Sequence, residues 1–154
     1  RELTMFRDSG FLPAAFPVTV VTNAVTIAVE LMGKQIPTVV TGGVLIEKTA
    51  ALSGPYTEKM LSGMAFDRVF LGATGVHCSH GFSNSNLLEV EIKKMAMGRA
   101  KETNIVMDHS KFGAQVLFSF AGLSEVQRII TDQLPDDELR SACEEAGVSL
   151  LVAE

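Results

Sequence analysis

Paired cysteines are missing from this chain: Cys78 and Cys143 are the only two, far apart and without a C-x-x-C spacing. That excludes a disulfide framework and leaves reduced thiols as the expectation. Long apolar runs are missing too. None approaches the roughly 20 residues of a membrane helix, and no signal-peptide pattern opens the chain. Both absences point to a cytoplasmic protein with no membrane partner. Basic clusters are absent as well. The 13 Lys and Arg are dispersed among 18 Asp and Glu, for a formal charge of −5. A surface that displaces counterions from phosphates needs a basic patch, so this chain is not expected to bind DNA by itself. No G-x-S-x-G elbow offers a serine nucleophile. No repeat, linker or low-complexity tract divides the 154 residues, which are long enough to bury most of their apolar surface in one domain.

The composition that remains is that of a folded protein, with 47% apolar and 20% charged residues. Apolar runs rich in Val, Ile and Phe alternate with helical patterns. This predicts an α/β fold, a largely parallel sheet flanked by helices. Strands are expected at Leu3 to Arg7, Val18 to Thr22, Pro37 to Thr41, Phe66 to Leu71, Asn104 to Met107, Arg128 to Thr131 and Val148 to Val152. A short strand at Val44 to Ile46 pairs with Ala50 to Leu52, and Val116 to Phe120 reads as an edge strand. Runs such as Val18 to Val21 are continuous rather than alternating, as in strands covered on both faces. Helices are expected from Ala24 to Gly33 and from Gly54-Pro55 to Met64, with Pro near the first turn. A long one runs from Asn86 to Lys101, where Leu87, Leu88, Ile92, Met95 and Ala96 recur at helical spacing. The last follows the acidic start Asp136-Asp137-Glu138 and ends at Ala146-Gly147.

The strand ends carry the chemistry. Phe6 leads into Asp8-Ser9-Gly10, Val21 into Thr22-Asn23, Val40 into Thr41-Gly42-Gly43, and Leu71 into Gly72-Ala73-Thr74-Gly75. Asn104 to Met107 leads into Asp108-His109-Ser110-Lys111-Phe112-Gly113, and Ile130 leads into Thr131-Asp132. In open α/β sheets ligands bind beyond the carboxyl ends of the strands, so one rim is expected to form a ligand site. Lys111 suits a phosphate or carboxylate, or else pairs with Asp108 on the surface. Gly42-Gly43 and Gly72-x-x-Gly75 permit close approach of backbone N–H groups to a ligand, and tight turns explain them equally. Glu89 and Lys93, at i and i+4, share a helix face aimed at the same crevice or at solvent. His77-Cys78-Ser79-His80 looks like a metal cluster, yet His109 is the only other histidine. Loop residues are the plainer reading, and no metal or cofactor is expected.

These stretches, in this order, resemble the effector-sensing domain of the DeoR family of bacterial sugar-metabolism regulators. The matches are Val20-Val21-Thr22-Asn23, Thr41-Gly42-Gly43, Gly54-Pro55, Phe70-Leu71-Gly72-Ala73-x-Gly75, Gly81-Phe82-Ser83, Glu89-x-x-x-Lys93, Asp108-x-Ser110-Lys111-Phe112-Gly113 and Ile130-Thr131-Asp132. They cover nearly the whole chain. The resemblance implies a fold like ribose-5-phosphate isomerase and the coenzyme A transferases, and a sensor for a phosphorylated sugar or sugar alcohol. It implies a ligand site of Asp8, Ser9, Gly10, Asn23, Gly42, Gly43, Gly75, Glu89, Lys93, Asp108, Ser110 and Lys111. It further implies a homo-oligomeric repressor that reaches DNA through an N-terminal winged helix-turn-helix. Residues 1–154 would then be the sensing domain alone. One departure stands out: the family follows Asp-x-Gly with a Ser/Thr-rich helix start, whereas here Phe11-Leu12-Pro13 follows Gly10. Either that hydroxyl-rich, phosphate-holding turn is absent, or a segment between Gly10 and Val18 is missing from this sequence. Two other readings share the same residues. Asp8, Glu89, Asp108 and Lys111 include groups suited to proton transfer, as in a sugar-phosphate isomerase. A pure oligomerisation module with a structural rim is the other.

Overall fold

The computed structural model describes residues 2–4 and 12–153, with only the backbone of Glu2–Thr4. Met5 to Arg7, the expected remainder of the first strand, and the candidate ligands Asp8, Ser9 and Gly10 lie outside the described residues. Among the described residues seven strands form one sheet: β1 (Glu2–Thr4), β2 (Thr19–Thr22), β3 (Thr38–Val40), β6 (Phe66–Leu71), β9 (Ala100–Val106), β11 (Arg128–Thr131) and β12 (Ser149–Val152). Their spatial order is β12-β11-β9-β6-β1-β2-β3. Every pairing in it is parallel. The order reverses beside β1, because the chain steps outward through β2 and β3 and then returns past β1 to β6. Such a switch point is where open α/β sheets place their ligands.

The helices of the described residues that cover the sheet are α1 (Val25–Leu31), α2 (Pro55–Ser62), α3 (Leu87–Gly98) and α4 (Asp137–Ala146). Successive strand residues face opposite sides, and β2 shows which helices lie where. Val20 packs with Ala24, Ile27 and Leu31 of the α1 segment. Its neighbour Val21 packs with Leu61, Phe66 and Ile92, on the side of α2 and α3. The largest core joins Leu71, Ile105 and Ile129 of the sheet to Val90 and Ala96 of α3 and to Leu139 and Cys143 of α4. Coverage is less even than continuous apolar runs imply. β6 buries Phe66, Val69 and Leu71 but exposes Arg68, whose Nε meets Glu102 Oε2 at 3.2 Å, while Arg128 approaches the other Glu102 oxygen at 3.5 Å.

Helix ends follow from local chemistry. Asn86 accepts from Leu88 N at 2.9 Å and Glu89 N at 3.2 Å, capping α3. That helix stops at Gly98, short of Lys101, because Ala100 already pairs with Phe66 as the first residue of β9. Asp136 caps α4 through Leu139 N, and Gly147 closes it at φ 79°. Two small antiparallel units sit at the strand ends. One is a hairpin of β4 (Val44–Ile46) and β5 (Ala51–Ser53). The other holds β7 (Gly75–His77), β8 (Gly81–Asn84) and β10 (Phe118–Ala121), in the order β10-β8-β7. The edge strand expected near Val116 to Phe120 therefore borders this small sheet rather than the main one. His77-Cys78-Ser79-His80, expected as loop, is the end and turn of the β7–β8 hairpin.

Candidate functional site

A cleft of about 440 Å³ opens over the carboxyl ends of β2, β6 and β9. Asn23 follows β2 and is buried. Its Nδ2 donates to Leu52 O at 2.9 Å, and Leu52 N donates back to Asn23 O at 2.8 Å. With the Ala24–Ala51 bridge, these bonds strap the β4–β5 hairpin to the end of β2. The other amide atom, Asn23 Oδ1, is buried with no hydrogen-bond partner among the described residues.

The α3 wall is organised by Asn84, a residue that sequence reasoning missed. Its Nδ2 donates to Glu89 Oε2 at 2.9 Å, and its Oδ1 accepts from Lys93 Nζ at 2.8 Å. Lys93 also donates to Gly72 O at 2.7 Å and stands 5.2 Å from the centre of the Phe120 ring. The helical spacing that puts Glu89 and Lys93 on one face thus aims both into the crevice. Lys93 ties the α3 face to the end of β6.

The third wall follows β9. Asp108 caps the 3-10 turn His109–Lys111 by accepting from Ser110 N at 2.9 Å and from the Ser110 hydroxyl. Those two hydrogen bonds, with the ammonium of Lys111 nearby, hold the Asp108 carboxyl below its ordinary range. Asp132, beyond β11, accepts from His109 N at 2.8 Å and meets His109 Nδ1 at 2.7 Å. Its hydrogen bond to the His109 side chain brings its pKa down to about 2. The turn bearing Asp108 and Lys111 is thereby fixed to the next strand.

Of the expected ligands, Asn23, Glu89, Lys93, Asp108 and Lys111 line this one cleft. Gly42, Gly43, Gly75 and Ser110 do not line it. Gly43 and Gly75 have packing reasons of their own, whereas Gly42 faces open space. At Gly43, φ is 134°, and a Cβ would overlap Thr57 Oγ1 and come within 2.8 Å of Ser53 O. A Cβ at Gly75 would overlap the Ala114 carbonyl oxygen. Ser110 acts through Asp108. The cleft also takes in Lys48, Thr49 and Ser53 from the β4–β5 hairpin. A turn lysine reads as ordinary surface in sequence, so only the strap to β2 reveals it. Among the described residues, no group of three or more His, Cys, Asp and Glu is placed to hold a metal.

The family described as the DeoR C terminal sensor domain matches residues 8–133. The chain belongs to that family. The chain is 35% identical to the HTH-type transcriptional regulator IolR of Bacillus subtilis, over 97% of its own length and 63% of the relative's. It is 34% identical to the HTH-type transcriptional regulator GlpR of Haloferax volcanii, over 85% of this chain and 51% of that one. With the L-fucose operon activator of Haemophilus influenzae the identity is 30%, over 90% and 56%. The chain thus spans about half to two thirds of these relatives. All three are named as regulators of transcription or of an operon, and the isomerase alternative finds no support among them. Among the described residues, no helix is long and apolar enough to cross a membrane.

Proposed function

We propose that this chain is the effector-sensing part of a repressor of a sugar-metabolism operon, and that the effector is a phosphorylated sugar or sugar alcohol. In this reading residues 1–154 are the sensing domain of a longer cytoplasmic homo-oligomer, whose N-terminal winged helix-turn-helix contacts operator DNA. One observation carries the proposal. Acceptors suited to sugar hydroxyls (Asn23, Glu89 and Asp108) share a cleft with ammonium groups suited to a phosphate, and the cleft sits at the switch point of the sheet. An operon activator among the relatives leaves the sign of regulation to experiment.

Thermal melts with a panel of sugar phosphates test this directly. A ligand at 100 times its Kd should stabilise the chain by about 2.7 kcal/mol, or roughly 5–10 °C. The unphosphorylated parent sugars should give no shift at the same concentration. Lys111→Ala should weaken binding about tenfold or more while leaving the unliganded melting temperature nearly unchanged. Equal affinity for phosphorylated and parent sugars would refute the proposal.

A further inference from the structure

Two ammonium groups of the cleft, Lys48 and Lys111, make no hydrogen bond or ion pair with the described residues. The lysines enter from opposite ends. Lys48 sits in the turn of the β4–β5 hairpin, which is strapped to the end of β2. Lys111 sits in the turn beyond β9. β6 and β1 lie between β9 and β2, so at ordinary strand spacing the two attachment points stand about 14 Å apart. The lining between and beside them holds the acceptors Asn23, Glu89 and Asp108. Lys93 is already engaged by Gly72 O and Asn84. The cleft therefore runs cation, acceptors, cation.

A ligand with one phosphate satisfies one end and leaves the other ammonium facing a neutral group. We propose that the effector is anionic at both ends: a polyhydroxylated sugar with phosphate at Lys111 and a second anion, carboxylate or phosphate, at Lys48. Lysine suits either anion, because it acts as a point charge on a flexible stem rather than as a planar fork. This rests on the reading of the cleft as a sugar-phosphate site, and its own failure is separable from failure of that reading.

The test is calorimetric titration of the full chain with two matched pairs: fructose 6-phosphate against fructose 1,6-bisphosphate, and glucose 6-phosphate against 6-phosphogluconate. In at least one pair the doubly anionic member should bind about tenfold or more tightly than its partner. The pair showing the gap identifies the second anion as phosphate or carboxylate. Lys48→Met should remove that gap by lowering the affinity of the doubly anionic member to that of its partner, whereas Lys111→Met should weaken all binding. Binding without a gap in either pair overturns the two-ended effector and leaves the sugar-phosphate reading standing. Equal loss of singly anionic binding in both variants also overturns it, because one phosphate would then lie between both lysines. No binding of any of the four overturns the underlying reading as well.

Discussion

Residues decide this site by how they are held. Asp132 is exposed, yet it carries two hydrogen bonds from His109 and so fixes the turn that presents Asp108 and Lys111. Its pKa, lowered from 3.8 to about 2, makes a signed prediction. The folded state holds the ionised carboxylate more firmly than the unfolded state does, so this contribution to stability is present above about pH 4 and is lost as pH falls toward 2. Carboxyl-carbon NMR should give Asp132 a midpoint near 2, and Asp132→Asn should flatten the melting temperature across that acid range. The cysteines make a second prediction. Cys143 is fully buried on the inner face of α4, and burial together with the nearby Cys78 pushes its thiol up to about 11. Cys78 is exposed. A thiol reagent should modify one equivalent of native protein and two after denaturation. Rapid native reaction at Cys143 would contradict the packing. Residue types alone pointed to Glu89, Lys93, Asp108 and Lys111, because charge at a strand end or helix face is visible in sequence. Asn84 was not visible. An amide in a short polar strand gains its importance only from the two helix side chains it joins.

Elements show where glycine is a packing requirement rather than a ligand signal. Gly43 turns the chain from β3 into the β4–β5 hairpin at a positive φ, against Thr57 and the Ser53 backbone. Gly43→Ala should therefore destabilise the fold by about 1–3 kcal/mol or more, through both strain and overlap. Gly42→Ala has open space at that position, so its denaturant midpoint should stay close to wild type. Similar losses at both positions would show that the turn, not the overlap, sets the cost. The elements were largely legible from sequence. The parallel strands announced themselves through Val- and Ile-rich runs, and the helices through spacing and caps such as Asn86 and Asp136. The β7–β8 hairpin was not legible. Its strands are short, they place Ser83 and Asn84 in the interior, and His77 to His80 resemble a loop or a metal cluster more than a turn between strands. β9 begins earlier than its apolar run because Ala100 to Thr103 are recruited by pairing with β6, a long-range effect no local pattern encodes.

At the scale of the whole molecule, charge separates sensing from DNA contact. With a formal charge of −5 and no basic cluster, the chain alone should form no sub-micromolar complex with duplex DNA at low salt, as read by fluorescence anisotropy. A salt-sensitive complex would mean that folding gathers cations the sequence disperses. The sheet order has a different consequence, for how the molecule is made. β1, the earliest strand, pairs with β2 on one side and with β6 on the other, where Leu3 stands opposite Arg68. On one flank β2 and β3 are contiguous in sequence, and on the other β6 to β12 follow one another. β1 alone joins them, and the cleft spans that seam. During synthesis the keystone of this sheet therefore precedes the strands it joins, and the arch is complete only after β6 has been made. Until then β1 can pair only with β2 and its other edge stays open, a high-contact-order arrangement that folds slowly and exposes that edge to neighbouring chains.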